Sequence, residues 1–198
     1  MKTVLQISSS LFGEQGQSSQ LSSSLTKRLL GPKDRLIRRD LAAEPVPHLD
    51  AQRFAAFTTL EAERSQDQRE VVAYSDALID ELRAADVIVL GLPMYNFGVP
   101  SSLKAYFDHV ARAGETFRYT AQGPQGLLTG KKAYVMAARG GHYKGTAKDT
   151  ESTYVRDFLA FIGIEDVEFV YAEGLAISPE TKTTALEAAN GSIALLAA

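Results

Sequence analysis

Short apolar runs alternate with helical stripes along this chain. Val4, Leu5 and Ile7 form a run that ends in three serines, and after a loop of serine, glycine and glutamine Leu21, Leu25 and Leu29 recur every fourth position until Gly31-Pro32. That pattern reads as strand, loop and helix. Residues 35–41 are a second strand candidate, with Leu36 and Ile37 as its apolar part. Residues 42–66 leave the alternation: Pro45 and Pro47 break the chain, Phe54 and Phe57 predict a short helix, and the segment is an excursion rather than a linker. Helical spacing returns at Val71, Ser75, Leu78, Ile79 and Leu82, ahead of a continuous apolar run over residues 87–92. Bounded by Asp86 and Pro93, that run suits a central parallel strand covered on both faces.

Farther on, Ser101 or Ser102 is placed to cap a helix whose apolar face is Leu103, Tyr106, Phe107, Val110 and Ala111. Residues 116–128, with Gly123-Pro124 at their centre, predict a short hairpin. Residues 133–137 form a fourth strand candidate with Arg139-Gly140-Gly141 as its exit loop. Val155, Phe158, Leu159 and Ile162 mark a helix stopped by Gly163, residues 167–170 a fifth strand, and Ala185, Ala189, Ile193 and Leu196 a last helix. Five strands alternating with helices predict an α/β fold with a parallel sheet wrapped on both faces. Ligands of such sheets bind outside the carboxyl ends of the strands. The loops that begin at Ser8, Pro93 and Ala138 are therefore the ones expected to carry the function.

Bulk properties narrow the chemistry. A length of 198 residues fits one well-buried core, so residues 1–198 are read as a single domain. The net charge of −3 argues against nucleic acid as the main partner, and the small basic cluster of Arg35, Arg38 and Arg39 is read as a solvated strand edge. The absence of cysteine excludes disulfides and thiolate chemistry. His48, His109 and His142 lack metal-ligand spacing, so no metal site is expected. The opening apolar run is too short for a secretory signal and no stretch approaches a membrane span, which makes a soluble cytoplasmic protein the expectation.

The first loop, residues 8–20, is rich in hydroxyls, amides and glycine and leads straight into a helix. Free N–H groups at a helix start, the positive end of its dipole and nearby hydroxyls make a phosphate cradle that needs no lysine. The competing reading is that Gln17 or Ser18 merely caps the helix. Neither a G-x-G-x-x-G fingerprint nor a G-x-x-x-x-G-K-[ST] loop is present. In the second loop Pro93 and Pro100 flank Met94, Tyr95, Asn96 and Phe97. Stiffness of this kind lets backbone amides address a fixed polar edge while side chains cover an aromatic face, although Tyr95 and Phe97 can also simply roof the sheet. The third loop, Ala138-Arg139-Gly140-Gly141-His142, adds two glycines that permit close approach, a cation, and a histidine that is either idle or a proton donor. One loop suited to a phosphate and two suited to a flat ring with a polar edge describe FMN; ATP would call for a lysine and magnesium ligands that the sequence does not place.

At these loops the chain resembles the FMN-dependent NADH-azoreductases of the flavodoxin-like quinone reductase group. The resemblance runs from Lys2-Thr3-Val4-Leu5 to the last strand and is carried by three pieces in order. They are Pro93-Met94-Tyr95-Asn96-Phe97 with Pro100-Ser101-Ser102-Leu103-Lys104, Thr116-Phe117-Arg118-Tyr119-Thr120 with Gly123-Pro124-Gln125-Gly126-Leu127, and Arg139-Gly140-Gly141. It implies a flavodoxin-like three-layer fold whose five parallel strands lie in the order 2-1-3-4-5 with helices on both faces. It also implies tightly bound, non-covalent FMN: Ser10, Gln17 and Ser18 on the phosphate and ribityl chain, Met94, Tyr95, Asn96 and Phe97 along the isoalloxazine, and Arg139, Gly140 and Gly141 at its pyrimidine side. Pro93 and Ala138, at the strand ends that lead into these loops, are expected among the cofactor-binding residues as well. Gly16 departs from the pattern, since the family often shows a serine there; its backbone N–H can still serve, with one hydroxyl contact fewer.

The implied activity is a hydride relay in which NADH reduces FMN and a quinone or an azo compound then takes the hydride. The cofactor carries such chemistry, which accounts for the lack of a catalytic dyad. Tyr119 and His142 are the candidate proton donors beside water. Members of the family are homodimers with the flavin near the interface, which would give residues 42–66 and 115–129 a purpose, the hairpin with Tyr119 either reaching over the ring or lying exposed. A flavodoxin-type electron carrier is the alternative, though carriers are strongly acidic around the flavin and −3 spread over the chain matches poorly. An apo regulatory or FMN-storage protein is the third reading.

Overall fold

In the computed structural model, which describes residues 1–196, seven strands form: β1 (Thr3–Ser8), β2 (Arg35–Asp40), β3 (Val87–Pro93), β4 (Phe117–Thr120), β5 (Gly123–Gly126), β6 (Lys132–Ala138) and β7 (Asp166–Ala172). Five of them make one parallel sheet in the order β2-β1-β3-β6-β7. The antiparallel hairpin of β4 and β5 stands apart from it, pairing Phe117 with Gly126 and Thr120 with Gly123. Counted without the hairpin, the sheet order is the expected one. Edge strand β2 carries the three arginines of the basic cluster, with Arg35 and Arg38 exposed and its other positions half-buried. Central strand β3 is bonded on both sides and buried from Ile88 onward, which is why its sequence is an unbroken apolar run.

Alternation along the strands feeds two cores. Leu5, Ile7, Ile88, Leu90, Ala133 and Val135 face α3 (Gln66–Ala84), α4 (Ser101–Val110) and α5 (Thr150–Phe161). Val4, Val89, Tyr134 and Met136 face α1 (Gln17–Leu29) and α6 (Pro179–Leu196). Each large aliphatic side chain fully buried in these layers contributes about 1.5–3 kcal/mol. The excursion after β2 folds back through α2 (Ala51–Thr58), capped by Asp50 and packed on α3. There Phe57 and Tyr74 present ring edges to the buried imidazole of His109, each at 5.9 Å.

Neither Ser101 nor Ser102 caps α4. Pro100 occupies that position, its fixed φ of −52° aligns the chain, and its carbonyl accepts from Lys104 N–H at 3.0 Å. The second strand also stops one residue early. The Asp40 carboxylate accepts from the N–H groups of Ala42 and Ala43, turning the chain out of the sheet.

Candidate functional site

The loops after β1, β3 and β6 meet at the carboxyl ends of the strands. In the first, Ser9 Oγ donates to Gly91 O at 2.7 Å and anchors the loop to β3. Ser10 Oγ accepts from Phe12 N–H at 3.2 Å and lies 3.4 Å from Tyr95 Oη, which in turn accepts from Leu11 N–H at 3.2 Å. Loops one and two are thus tied through a serine and a tyrosine. Helix α1 then starts at Gln17 behind Gly16, and no side chain caps it, so Gln17 and Ser18 do not have the capping role of the competing reading. Its first-turn N–H groups point out unpaired, as in any uncapped helix. The hydroxyl of Ser18 is buried beside them without a hydrogen-bond partner. A buried orphan hydroxyl at a free helix N-terminus fits a phosphate oxygen, which would satisfy both.

Gly16 is dictated by its neighbour. A Cβ at that position would lie 2.1 Å from Ser10 Oγ and 2.5 Å from Ser10 Cβ, so a serine there requires Ser10 to move. The departure noted in the sequence and the Ser10–Tyr95 contact are therefore one arrangement.

The second loop is a tight two-residue turn. Tyr95 N–H donates to Gly98 O and Gly98 N–H to Tyr95 O, both at 3.1 Å, and between them Asn96 and Phe97 have φ of 51° and 64°. Left-handed backbone costs about 1–2 kcal/mol at a residue with a Cβ, and asparagine tolerates it better than phenylalanine. The turn is held by Met94 N–H to Ala138 O at 3.1 Å and by a short bond from Thr150 Oγ1 to Phe97 O. The strained backbone leaves the Phe97 ring half in solvent, edge-on to Tyr143 at 5.6 Å. Met94, Asn96, Phe97, Gly140 and Tyr143 line an open cavity of about 260 Å³.

The third loop corrects the reading of Arg139. Its side chain is fully buried and turns inward, where Asp149 at 2.7 Å, Glu173 at 3.2 Å and Ser152 Oγ at 2.9 Å accept from it, with Glu151 at 3.5 Å. The carboxylates of Asp149 and Glu173 neutralise the guanidinium, so it orders the loop and lends little positive field to the cavity. The physical reason is that an arginine between two buried strand ends finds its partners below the loop, on α5 and after β7. Gly140 and Gly141 then present backbone: a Cβ would sit 3.2 Å from Ala176 at the first and 2.7 Å from the Tyr143 hydroxyl at the second. Pro93 and Ala138 pair at the buried ends of β3 and β6 and set the spacing of the two loops.

Two predicted residues are not brought to this place. His142 is exposed and lies against Gly174 after β7. Tyr119 is 75% exposed on the hairpin, whose Gly126 packs on Gly163 past the far end of α5. Thr150, which holds Phe97, starts that helix, and twelve residues of helix span about 18 Å. Sequence reasoning missed Tyr143, Thr150 and Glu173. The aromatic of Tyr143, two residues beyond the glycine pair, was the one local signal; Glu173 Oε1 accepts from the N–H groups of Tyr143 and Lys144 across 29–30 residues.

A family profile described as the flavodoxin-like fold matches residues 2–195. An FMN-dependent NADH:quinone oxidoreductase of Cellvibrio japonicus is 56% identical over 177 residues, which is 88% of this chain and 89% of that protein. One of the same name from Burkholderia thailandensis is 53% identical, covering 98% of this chain and 99% of its own. Among solved structures, an azoreductase of Bacillus anthracis superposes with a TM-score of 0.91 at 27% identity, covering 100% of this chain and 99% of its own. An FMN-dependent NADH-azoreductase from the same species, solved in complex with FMN, gives 0.87 at 26% identity over the whole of both chains.

Proposed function

We propose the function of this chain from its family: it belongs to the flavodoxin-like FMN-dependent oxidoreductases, and it works as an FMN-dependent NADH:quinone oxidoreductase. The observation that carries the reading is the unpartnered, buried Ser18 hydroxyl at the uncapped start of α1, opposite the strained turn at Asn96 and Phe97. The first-turn N–H groups, Ser18 and Ser10 hold the phosphate and ribityl chain. Met94, Tyr95, Asn96 and Phe97 cover the ring. FMN held there would supply the two-electron chemistry that links NADH to the acceptor.

The chain's own part is positioning. With Arg139 neutralised by its carboxylates, the N–H groups of Gly140 and Gly141, which donate to no other group among the described residues, would be the donors for negative charge at the pyrimidine edge. A quinone takes two electrons and two protons in one turnover; an azo bond takes four of each in two turnovers. Protons come from water, because neither His142 nor Tyr119 of the same chain reaches the cavity. We place the protein in the cytoplasm as a homodimer, in which the exposed hairpin of a second copy brings its Tyr119 over the ring. Donor and acceptor use the same cavity in turn, so initial-rate plots at several NADH concentrations should be parallel. Intersecting lines would require both to be bound at once and would refute the alternating scheme.

A further inference from the structure

A cavity of about 590 Å³ starts at Ser8 and Glu14 of the first loop and runs along α1 to Lys27 and Arg28. Helix α1 packs over β1, β3 and β6, and on the same face of edge strand β2 it covers Leu36 but leaves Arg38 and Asp40 lining the cavity. The floor of the resulting trough is made by Gln6 and Ser8 on β1 beside Arg38 and Asp40 on β2, which pair in register. Its wall is the stripe Gln20, Ser23, Ser24 and Lys27, spaced i, i+3, i+4, i+7.

Lys27, Arg28 and Arg38 have no ion-pair partner among the described residues, whereas Arg39 is engaged by Glu44 and Glu81. A solvated edge and the helix dipole would explain exposed cations alone. They do not explain Gln6, 5% exposed, whose Nε2 donates to Ser22 Oγ at 3.2 Å and Ser23 Oγ at 2.8 Å while Oε1 has no partner. The bond from Ser22 Oγ to Ser19 O makes Ser22 an acceptor toward Gln6 and favours this orientation of the amide. Ser19 Oγ, also buried, is a second unpartnered atom on the trough. A buried acceptor and hydroxyl left open beside free cations imply a ligand with hydroxyl donors and an anionic group. No aromatic side chain lines the trough, which leaves nothing for a base or flavin ring to stack on.

We infer that the trough between α1 and β2 is a second binding site, for a phosphorylated polyol whose phosphate meets Arg38, Lys27 and Arg28 and whose hydroxyls meet Gln6, Ser8 and Asp40. The test uses the FMN-loaded protein with ribose 5-phosphate as probe and inorganic phosphate and ribose as controls, read by calorimetry and by the NMR signals of the Gln6 side-chain amide. Ribose 5-phosphate should bind at least about tenfold more tightly than either control and shift the Gln6 amide. Arg38→Glu should weaken it by at least about tenfold, and Ser23→Val, which crowds the trough without changing charge, should weaken it too. Turnover of NADH and quinone should stay that of the wild type in both variants. No shift at Gln6, equal affinity for phosphate alone, or affinity unchanged in Arg38→Glu would each overturn the assignment.

Discussion

Ser18 and Gly16 carry the cofactor reading at the scale of single residues. A charge-assisted hydrogen bond to a phosphate contributes about 1.5–3 kcal/mol, so Ser18→Ala should raise the dissociation constant of FMN by roughly 10- to 150-fold. The apo protein should lose no stability, because the variant removes a buried hydroxyl that has no partner. Flavin fluorescence titration and thermal melting of the apo form separate the two effects. Gly16→Ser restores the residue that the resemblance leads one to expect, yet its Cβ would meet Ser10 at 2.1 Å. The same titration should show FMN held more weakly by that variant. Tighter binding by Gly16→Ser alone would contradict the packing described here. That Gly16 departs from a pattern was legible in the sequence; that Ser10 and Tyr95 enforce the departure was not, because the three residues meet only once loops one and two are folded together.

At the scale of elements, the sheet and its helices were legible because burial on two faces leaves a strong periodic imprint. An unbroken apolar run marks β3 and a near-regular i, i+3, i+4 series marks α4. The start of α3 was legible too, since Ser65 and Gln68 form a capping box whose spacing stands in the sequence, although the expectation was built on apolar spacing alone. Less legible was the turn at residues 95–98, because Phe97 has no propensity for φ of 64° and only the cross-bonds to Gly98 and Thr150 hold it there. Phe97→Gly relieves about 1–2 kcal/mol of left-handed strain and loses an edge-to-face contact of about 0.5–1.5 kcal/mol. Its melting temperature should therefore stay close to wild type while quinone turnover falls. A large drop in stability would mean that the turn is not strained. Arg139 was misjudged for a related reason: its carboxylates lie 10, 12 and 34 residues away, so nothing local tells which way the guanidinium points.

For the whole molecule the consequence of that buried cluster is a pH dependence of stability. Glu151 is buried without a hydrogen-bond partner, and burial, only partly opposed by Arg139, pushes its carboxyl from 4.5 up to about 8. A carboxyl raised in the folded state binds its proton more tightly there than in the unfolded chain. Its effect is nil below about 4.5, destabilises progressively as pH rises from there to about 8, and is constant above. Glu151→Gln should melt with the wild type near pH 4.5 and several degrees above it at pH 8, with Asp149 and Glu173 still paired to Arg139. His109 works in the opposite window: burial lowers its pKa, so the native state loses stability as pH falls below the ordinary histidine value of 6.5. The flat net charge that spoke against an electron carrier belongs to this scale as well, and so does the decisive test. It is the visible spectrum of the FMN-reconstituted, desalted protein under anaerobic conditions, followed by NADH and then a simple benzoquinone. The account predicts flavin retained through desalting, bleached in one two-electron step by NADH, and restored by the quinone. Flavin that washes away, or that stays oxidised in NADH, would contradict it.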